Sequence, residues 1–169
     1  MEIKMQLDNL PPVKKYIEGA KERLEDLRPV WEAAHVWFME QEGRQFTTQG
    51  KYLTGQKWEK LSDDYAARKK AAGKPELGGV GILYRDGDMF RSLTRSKDPN
   101  HIAIMKEDHA IFGTSDPKAE WHHSGRETRK RGGRLPERPI VLVGDAMRKF
   151  VNRAFVTWFR TGRLGGSSR

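Results

Sequence analysis

The chain has 169 residues, no cysteine and a formal net charge of +9; it is the size of one domain, and disulfides, thiolate chemistry and cysteine-ligated zinc are excluded. Apolar residues make up 36%, and no run approaches the roughly 18 apolar residues of a membrane-spanning helix, so the core is modest and the surface large. Lys and Arg number 32 against 23 Asp and Glu, a balance that favours polyanionic partners or an acidic protein neighbour.

In chain order, Met1 to Leu10 alternates apolar and polar residues and predicts a short strand. Its first five residues lack the apolar core of a leader peptide, so a cytoplasm-like compartment is expected. Pro11-Pro12 opens a helix. Val13, Ile17, Ala20, Leu24, Leu27, Trp31, Ala34 and Phe38 then recur at steps of three and four, which places them on one helical face. This stripe is compatible with a coiled-coil seam, but a long helix covering one side of a sheet is the simpler reading. Pro29 predicts a kink or two abutting helices, because it removes a donor and clashes with the preceding turn. Coil is expected from Phe46 to Lys57, a stretch rich in Thr, Gln and Gly. Ser62 is a candidate N-cap for a helix reaching Ala72, with Tyr65 and Ala66 inward and Arg68, Lys69 and Lys70 outward. Gly73 to Gly81 is expected to be a loop. Met89, Phe90 and Leu93 suggest a short amphipathic helix after Asp86-Gly87-Asp88.

Two strands follow, His101 to Lys106 and His109 to Gly113, joined by a tight turn at Glu107-Asp108. Asp116-Pro117 caps a short helix through Trp121 and His122. Ile140 to Val143 is expected to be a third strand of the same sheet. Met147, Phe150, Val151, Ala154, Phe155, Trp158 and Phe159 share one face of a C-terminal helix whose dipole Asp145 complements. The fold class is therefore α+β: a small antiparallel sheet packed by a long N-terminal helical segment, kinked near Pro29, and a C-terminal amphipathic helix. A single domain is expected over 1–161, with 162–169 a flexible basic tail.

The residues suggest little catalytic chemistry. His101, His109, His122 and His123 lie close in sequence, but neighbouring His122 and His123 project in different directions, and no carboxylate accompanies them at ligand spacing. A metal-dependent nuclease would need a further ligand from the C-terminal helix, which offers only Asn152. Asp63-Asp64, Asp86/Asp88 and Glu107-Asp108 read as cap and turn residues. Leu77-Gly78-Gly79-Val80-Gly81 lacks the Gly-Lys-Ser/Thr of a phosphate loop. Arg126 to Arg134 carries five positive charges and one negative. Its Arg126, Arg129, Lys130, Arg131 and Arg134 are candidates for contact with DNA or an acidic partner. No aromatic residue within it supports base stacking.

Four segments resemble, in order, the motifs of the phage virion morphogenesis family, the Mu-like tail-completion proteins. They are Trp58-x-x-Leu61-Ser62-x-x-Tyr65, then Ile82-Leu83 with Asp86-Gly87-Asp88-Met89-Phe90-Arg91-Ser92-Leu93, then Ala119-Glu120-Trp121-His122-His123-Ser124-Gly125, and last Leu135-Pro136-Glu137-Arg138-Pro139. The resemblance runs from about Trp58 to the C-terminal helix. Departures are Met89 for Leu, His123 for Gln, Glu137 for Ala and Ile140 for Phe. The resemblance implies a structural protein without enzymatic activity, cofactor or metal, sited at the head–tail junction of a tailed phage and in the host cytoplasm during assembly. It further implies a ring, commonly of six subunits, contacting neighbouring tail or connector proteins, with DNA a candidate partner in the lumen and no membrane partner. Trp121, His122, His123 and Arg138 are the residues expected at subunit or partner contacts. The alternative is a basic nucleic-acid-binding module.

Overall fold

Pro29 decides how the N-terminal half divides. The computed structural model describes residues 11–72, 81–127, 134–141 and 144–164; the expected first strand, the 73–80 loop and the centre of the basic insert fall outside them. Helices α1 (Pro11–Glu25) and α2 (Arg28–Thr47) are separate. Pro29 sits in the first turn of α2, where its missing N–H would have had no partner anyway. Of the two alternatives, abutting helices are therefore realised. The break is tied down on both sides. Leu27 N donates to Glu107 O at 2.9 Å, and Arg28 N to the Asp26 carboxylate at 3.0 Å. The Arg28 side chain also binds that carboxylate and lowers its pKa to about 2. The free carbonyls at the end of α1 are served from the C-terminal helix α7 (Asp145–Thr161): Trp158 Nε1 lies 3.1 Å from Arg23 O and 3.2 Å from Asp26 O.

Helix α2 is the central element, touching α7, α5 (Asp88–Thr94) and the hairpin of β1 (His101–Met105) and β2 (Ala110–Thr114). A helix covered on several sides must bury residues around most of its circumference. Val30, Ala34, His35, Phe38, Gln41, Glu42, Gln45 and Phe46 are all buried. The apolar core joins Phe38 and Phe46 to Trp58, Met89, Leu93 and Ile140. Phe46 packs edge-on against Trp58, Tyr84 and Phe90, with centroids 5.5 to 5.9 Å apart, a favoured aromatic geometry.

The expected coil from Phe46 is corrected: α2 runs on to Thr47, the chain reverses at Gln49-Gly50, and α3 (Lys51–Thr54) follows. Buried glutamines organise this stretch. Gln45 accepts from Leu53 N at 2.8 Å, and Gln49 donates to Phe46 O at 2.8 Å and accepts from Ile82 N at 2.5 Å. Gly50 has φ +92° and an added Cβ would meet the Trp58 ring at 2.5 Å, so both backbone and packing require glycine there. Helix α4 (Asp63–Ala72) forms as expected, with Ala66 N donating to Ser62 O at 2.8 Å. Its orientation differs from expectation: Tyr65 is 40% exposed and Lys69 only 7%, because the Lys69 ammonium turns inward to the Gly81 carbonyl.

The hairpin is antiparallel, with Ile104 opposite Ile111 and His101 opposite Thr114. Helix α6 (Pro117–His123) is N-capped by Asp116, which accepts from Lys118 N at 2.9 Å. A second ribbon pairs β3 (Arg126–Glu127) with β4 (Arg134–Leu135). The expected third strand is not formed over Ile140-Val141, and Leu142-Val143 lie outside the described residues. The backbone groups there are already spent: Pro139 O accepts from Trp58 Nε1 at 3.0 Å and Gln45 Nε2 at 3.2 Å, Ile140 N donates to His123 Nδ1 at 3.2 Å, and proline has no donor.

His101 closes a polar bridge between α2, α5 and the hairpin. Its Nδ1 is 2.6 Å from Ser92 O, and its Nε2 is 2.6 Å from His35 Nε2. A carbonyl only accepts, so His101 carries its proton on Nδ1 and accepts at Nε2, and His35 is the donor. Burial and the His101 charge both lower the pKa of His35. The stability from neutral His35 is present above the ordinary histidine value and lost on acidification below it.

Glu42 has the opposite sign. It is 2% exposed, its Oε2 has no hydrogen-bond partner, and burial raises its pKa from 4.5 to about 8. The folded state holds the proton that the unfolded chain releases above 4.5, so stability falls with rising pH until the folded state ionises as well. Glu42→Gln is expected to match the parent near pH 4 and to exceed it by about 3 kcal/mol at pH 7. Urea unfolding at the two pH values measures this; equal stability of both proteins at pH 7 would show that Glu42 is not held protonated.

Candidate functional site

The four motif segments converge on one cavity of about 600 Å³. The first supplies Glu59, Leu61, Ser62 and Tyr65, the second Leu83 and Asp86 to Met89, the third Trp121 and His122, the fourth Leu135, Pro136 and Arg138. Motifs far apart in sequence therefore build a single wall. Leu83 adopts φ +65° at its edge, a conformation costly for a side chain with a Cβ. Gly125, with φ +68°, lets the third motif lie against the fourth. An added Cβ would stand 3.0 Å from Leu135 O and 3.1 Å from Glu137 N.

Arg138 ties the segments together. It is 3% exposed. Its Nε and Nη2 donate to Glu59 O at 3.2 and 3.1 Å, and its N–H donates to His122 O at 2.7 Å. The Pro136 and Pro139 rings hold φ on either side, so the fork is presented rigidly. Both side-chain donors thus meet a carbonyl within the chain, and the guanidinium serves the fold rather than the outer surface.

Basic residues outnumber acidic ones in the cavity lining, where Glu59, Asp86 and Asp88 stand among Lys60, Lys69, Arg85, Lys118, Arg134 and Arg138. Burial lowers the pKa of Lys69, and nearby Arg138 lowers it further. Burial is also the main cause of the lowered pKa values of Arg138 and His122. His122 Nδ1 is buried with no hydrogen-bond partner. Lys118, at the cavity wall, lies 3.4 Å from Asp88 and 3.9 Å from Asp116. Among the described residues, no carboxylate pairs with Lys69 or Arg138 within salt-bridge distance.

The candidate residues separate clearly. Trp121 is 41% exposed at the cavity mouth, with the Arg126 guanidinium 5.2 Å above its ring, a cation–π geometry. His122 lines the cavity, whereas His123 turns to Ile140 N. Arg134 reaches the cavity wall. Arg129, Lys130 and Arg131 lie outside the described residues. His101 and His109 are elsewhere: His101 bridges to His35, and His109 pairs with Asp108 on the hairpin turn. Among the described residues no group of three or more His, Asp or Glu is placed to hold a metal. Sequence reasoning missed Lys69, which reads as one more exposed base in a run of three; the apolar residues of α4 were too few to orient it.

A second cavity, of about 500 Å³, lies between α2, the hairpin and α7. Trp31 and Glu42 line it, and each has a buried polar atom without a partner.

The model of the phage virion morphogenesis family matches residues 8–159. The chain belongs to that family. The match extends the resemblance read from Trp58 onward to include α1 and α2, and it assigns the chain to bacteriophage virion morphogenesis. No curated protein and no solved structure matches it. Among the described residues no helix is long and apolar enough to cross a membrane.

For this family member Arg138→Lys is expected to cost about 2 kcal/mol, because an ammonium cannot reproduce a fork with both donors on one carbonyl. Chemical denaturation measures it. A loss comparable to that of an exposed Arg→Lys change, such as at Arg148, would show that the clamp contributes nothing.

Proposed function

We propose that this chain is a structural subunit of the head–tail junction, acting in tail completion or neck assembly as an oligomeric ring without enzymatic activity. Family membership supports the virion role. The observation that carries the ring is the unfinished burial of two helices. Helix α7 has a seven-residue apolar face, yet none of its residues is buried. On α1 only Ala20 is buried, and Val13, Ile17 and Leu24 of the same stripe are half-exposed. Exposed apolar residues clustered along a helix, as on α1, mark protein–protein contact surfaces, and the α7 face packed beside α1 is only half-buried. Repeated contact between identical subunits closes into a ring when the rotation allows.

Light scattering behind a sizing column, at low and high salt, is expected to give a discrete oligomer of about six or twelve subunits. Ile17→Asp with Leu24→Asp is expected to leave the circular dichroism spectrum intact and yield a monomer. A parent protein that stays monomeric with and without tails or connectors would refute the ring.

The second reading, a nucleic-acid-binding module, draws on Arg126 stacked over Trp121 and on Arg134 nearby. It predicts duplex binding that weakens steeply with salt and is lost when Arg126 and Arg134 become Ser. Salt-insensitive binding, or none, removes it.

A further inference from the structure

The motif-lined cavity holds more positive charge than the chain itself neutralises. Lys69 is more than nine-tenths buried and meets a carbonyl, not a carboxylate. Arg138 is equally buried and is likewise spent on a carbonyl. His122 presents a buried ring nitrogen with no partner. A buried ammonium without a counter-charge is costly, and a fold that gained nothing from the Lys69 charge would be served as well by an apolar residue there. The remaining walls include Leu61, Leu83, Met89, Leu135 and Pro136; the carboxylates of Asp86 and Asp88 also line the space but are paired, with Arg85 and with Arg91 and Lys118, so the space suits an apolar segment carrying a negative charge toward Lys69.

We propose that this cavity receives the carboxylate of an acidic side chain, carried on an apolar segment of a partner protein, with Lys69 and His122 as its hydrogen-bonding partners and Lys118 at the mouth steering it. The proposal rests on the reading above in that the partner is another virion protein. A carboxylate is favoured over a nucleic-acid phosphate by depth. The cationic groups lie beneath the surface among apolar walls, where a single side chain reaches and a duplex backbone does not, since phosphate contacts form along the outside of the helix. Trp121 at the rim supplies the rigid amphipathic anchor that protein interfaces favour.

The test uses the full chain, isotope-labelled, in two-dimensional NMR. It is titrated separately with acetyl-Leu-Glu-Leu amide, acetyl-Leu-Gln-Leu amide and inorganic phosphate, each to about 10 mM, where an isolated contact of this kind is detectable. The Glu peptide is expected to shift the His122 ring and Trp121 indole signals saturably, and the Gln peptide at least 10-fold more weakly. Lys69→Met is expected to abolish the Glu response while keeping or raising the melting temperature. Lys118→Glu, a change at a half-exposed position, is expected to weaken it without touching the core. Equal responses to the Glu and Gln peptides overturn the proposal, and so does the absence of any response. Phosphate binding more tightly than the Glu peptide overturns it in favour of nucleic acid. A lower melting temperature in Lys69→Met with the Glu response intact would make Lys69 a structural clasp for Gly81 and equally overturn it. Light scattering on the same samples separates this from the ring: a monomer that binds the Glu peptide retains the cavity and loses the ring, and an oligomer indifferent to the peptide does the reverse.

Discussion

The structure depends on how the segment from Leu135 to Ile140 spends its backbone. Two prolines remove its donors and fix its path. What remains is taken by groups from other elements: Pro139 O by the Trp58 and Gln45 side chains, Ile140 N by the His123 side chain, Arg138 N–H by the His122 backbone carbonyl. Arg138 then reaches back to Glu59. A segment that beyond Leu135 belongs to neither helix nor sheet thereby joins α2, the stretch before α4 and the end of α6. Buried polar groups left unpaired are costly, so each of these bonds also specifies register. The cavity wall is a consequence of this lacing, since the same residues that hold the segment in place stand around the space.

A second constraint follows from the crowding of α2. A helix packed by α7, by α5 and by the hairpin must place polar residues in the interior, because its sequence also carries Gln41, Glu42 and Gln45. Two of the three are satisfied: Gln41 by Tyr52, Gln45 by Leu53 and Pro139. Glu42 keeps an oxygen without a partner and remains protonated well above the usual carboxylate range. Together with Trp31 Nε1 it leaves one acceptor-capable and one donor group in the wall of the second cavity, at the boundary with α7.

Local rules in the sequence were enough for most elements. Pro29, Asp116-Pro117, the Glu107-Asp108 turn and the seven apolar residues of α7 each specify their element through backbone geometry or periodicity, and those elements stand where expected. The errors share one physical origin. The stretch after Phe46 has the composition of coil, but glutamine side chains replace the missing backbone partners. Ile140 has strand propensity, but its N–H is taken by a histidine 17 residues earlier. Lys69 belongs to a basic run, but a carbonyl 12 residues later draws it inward. In each case a side-chain-to-backbone bond across the fold outweighs a local propensity of a few tenths of a kcal/mol to about 1 kcal/mol. Such bonds leave no periodic trace. The motifs showed which segments matter; that they surround one space follows only from the three-dimensional lacing.

If the proposed ring and the proposed partner site both hold, the distribution of burial separates two functions on one subunit. The side-chain-to-backbone lacing of Arg138, Trp58 and Gln45 lies around the motif cavity, leaving His122 Nδ1 without a partner, and position there must be held to within a fraction of an ångström if a partner is to be recognised. The loosely covered apolar helices, α1 and α7, lie on the other side of α2, tied to each other by Trp158 and Arg23. Rigid recognition and adaptable self-contact place opposite demands on packing: the first needs each polar group paired, and the second needs apolar area left over. A chain that did both with one surface would have to give up either specificity or area. Separating them across a central helix lets each side meet its own requirement, and α2, with its interior glutamines bonded in both directions, is the element that couples them.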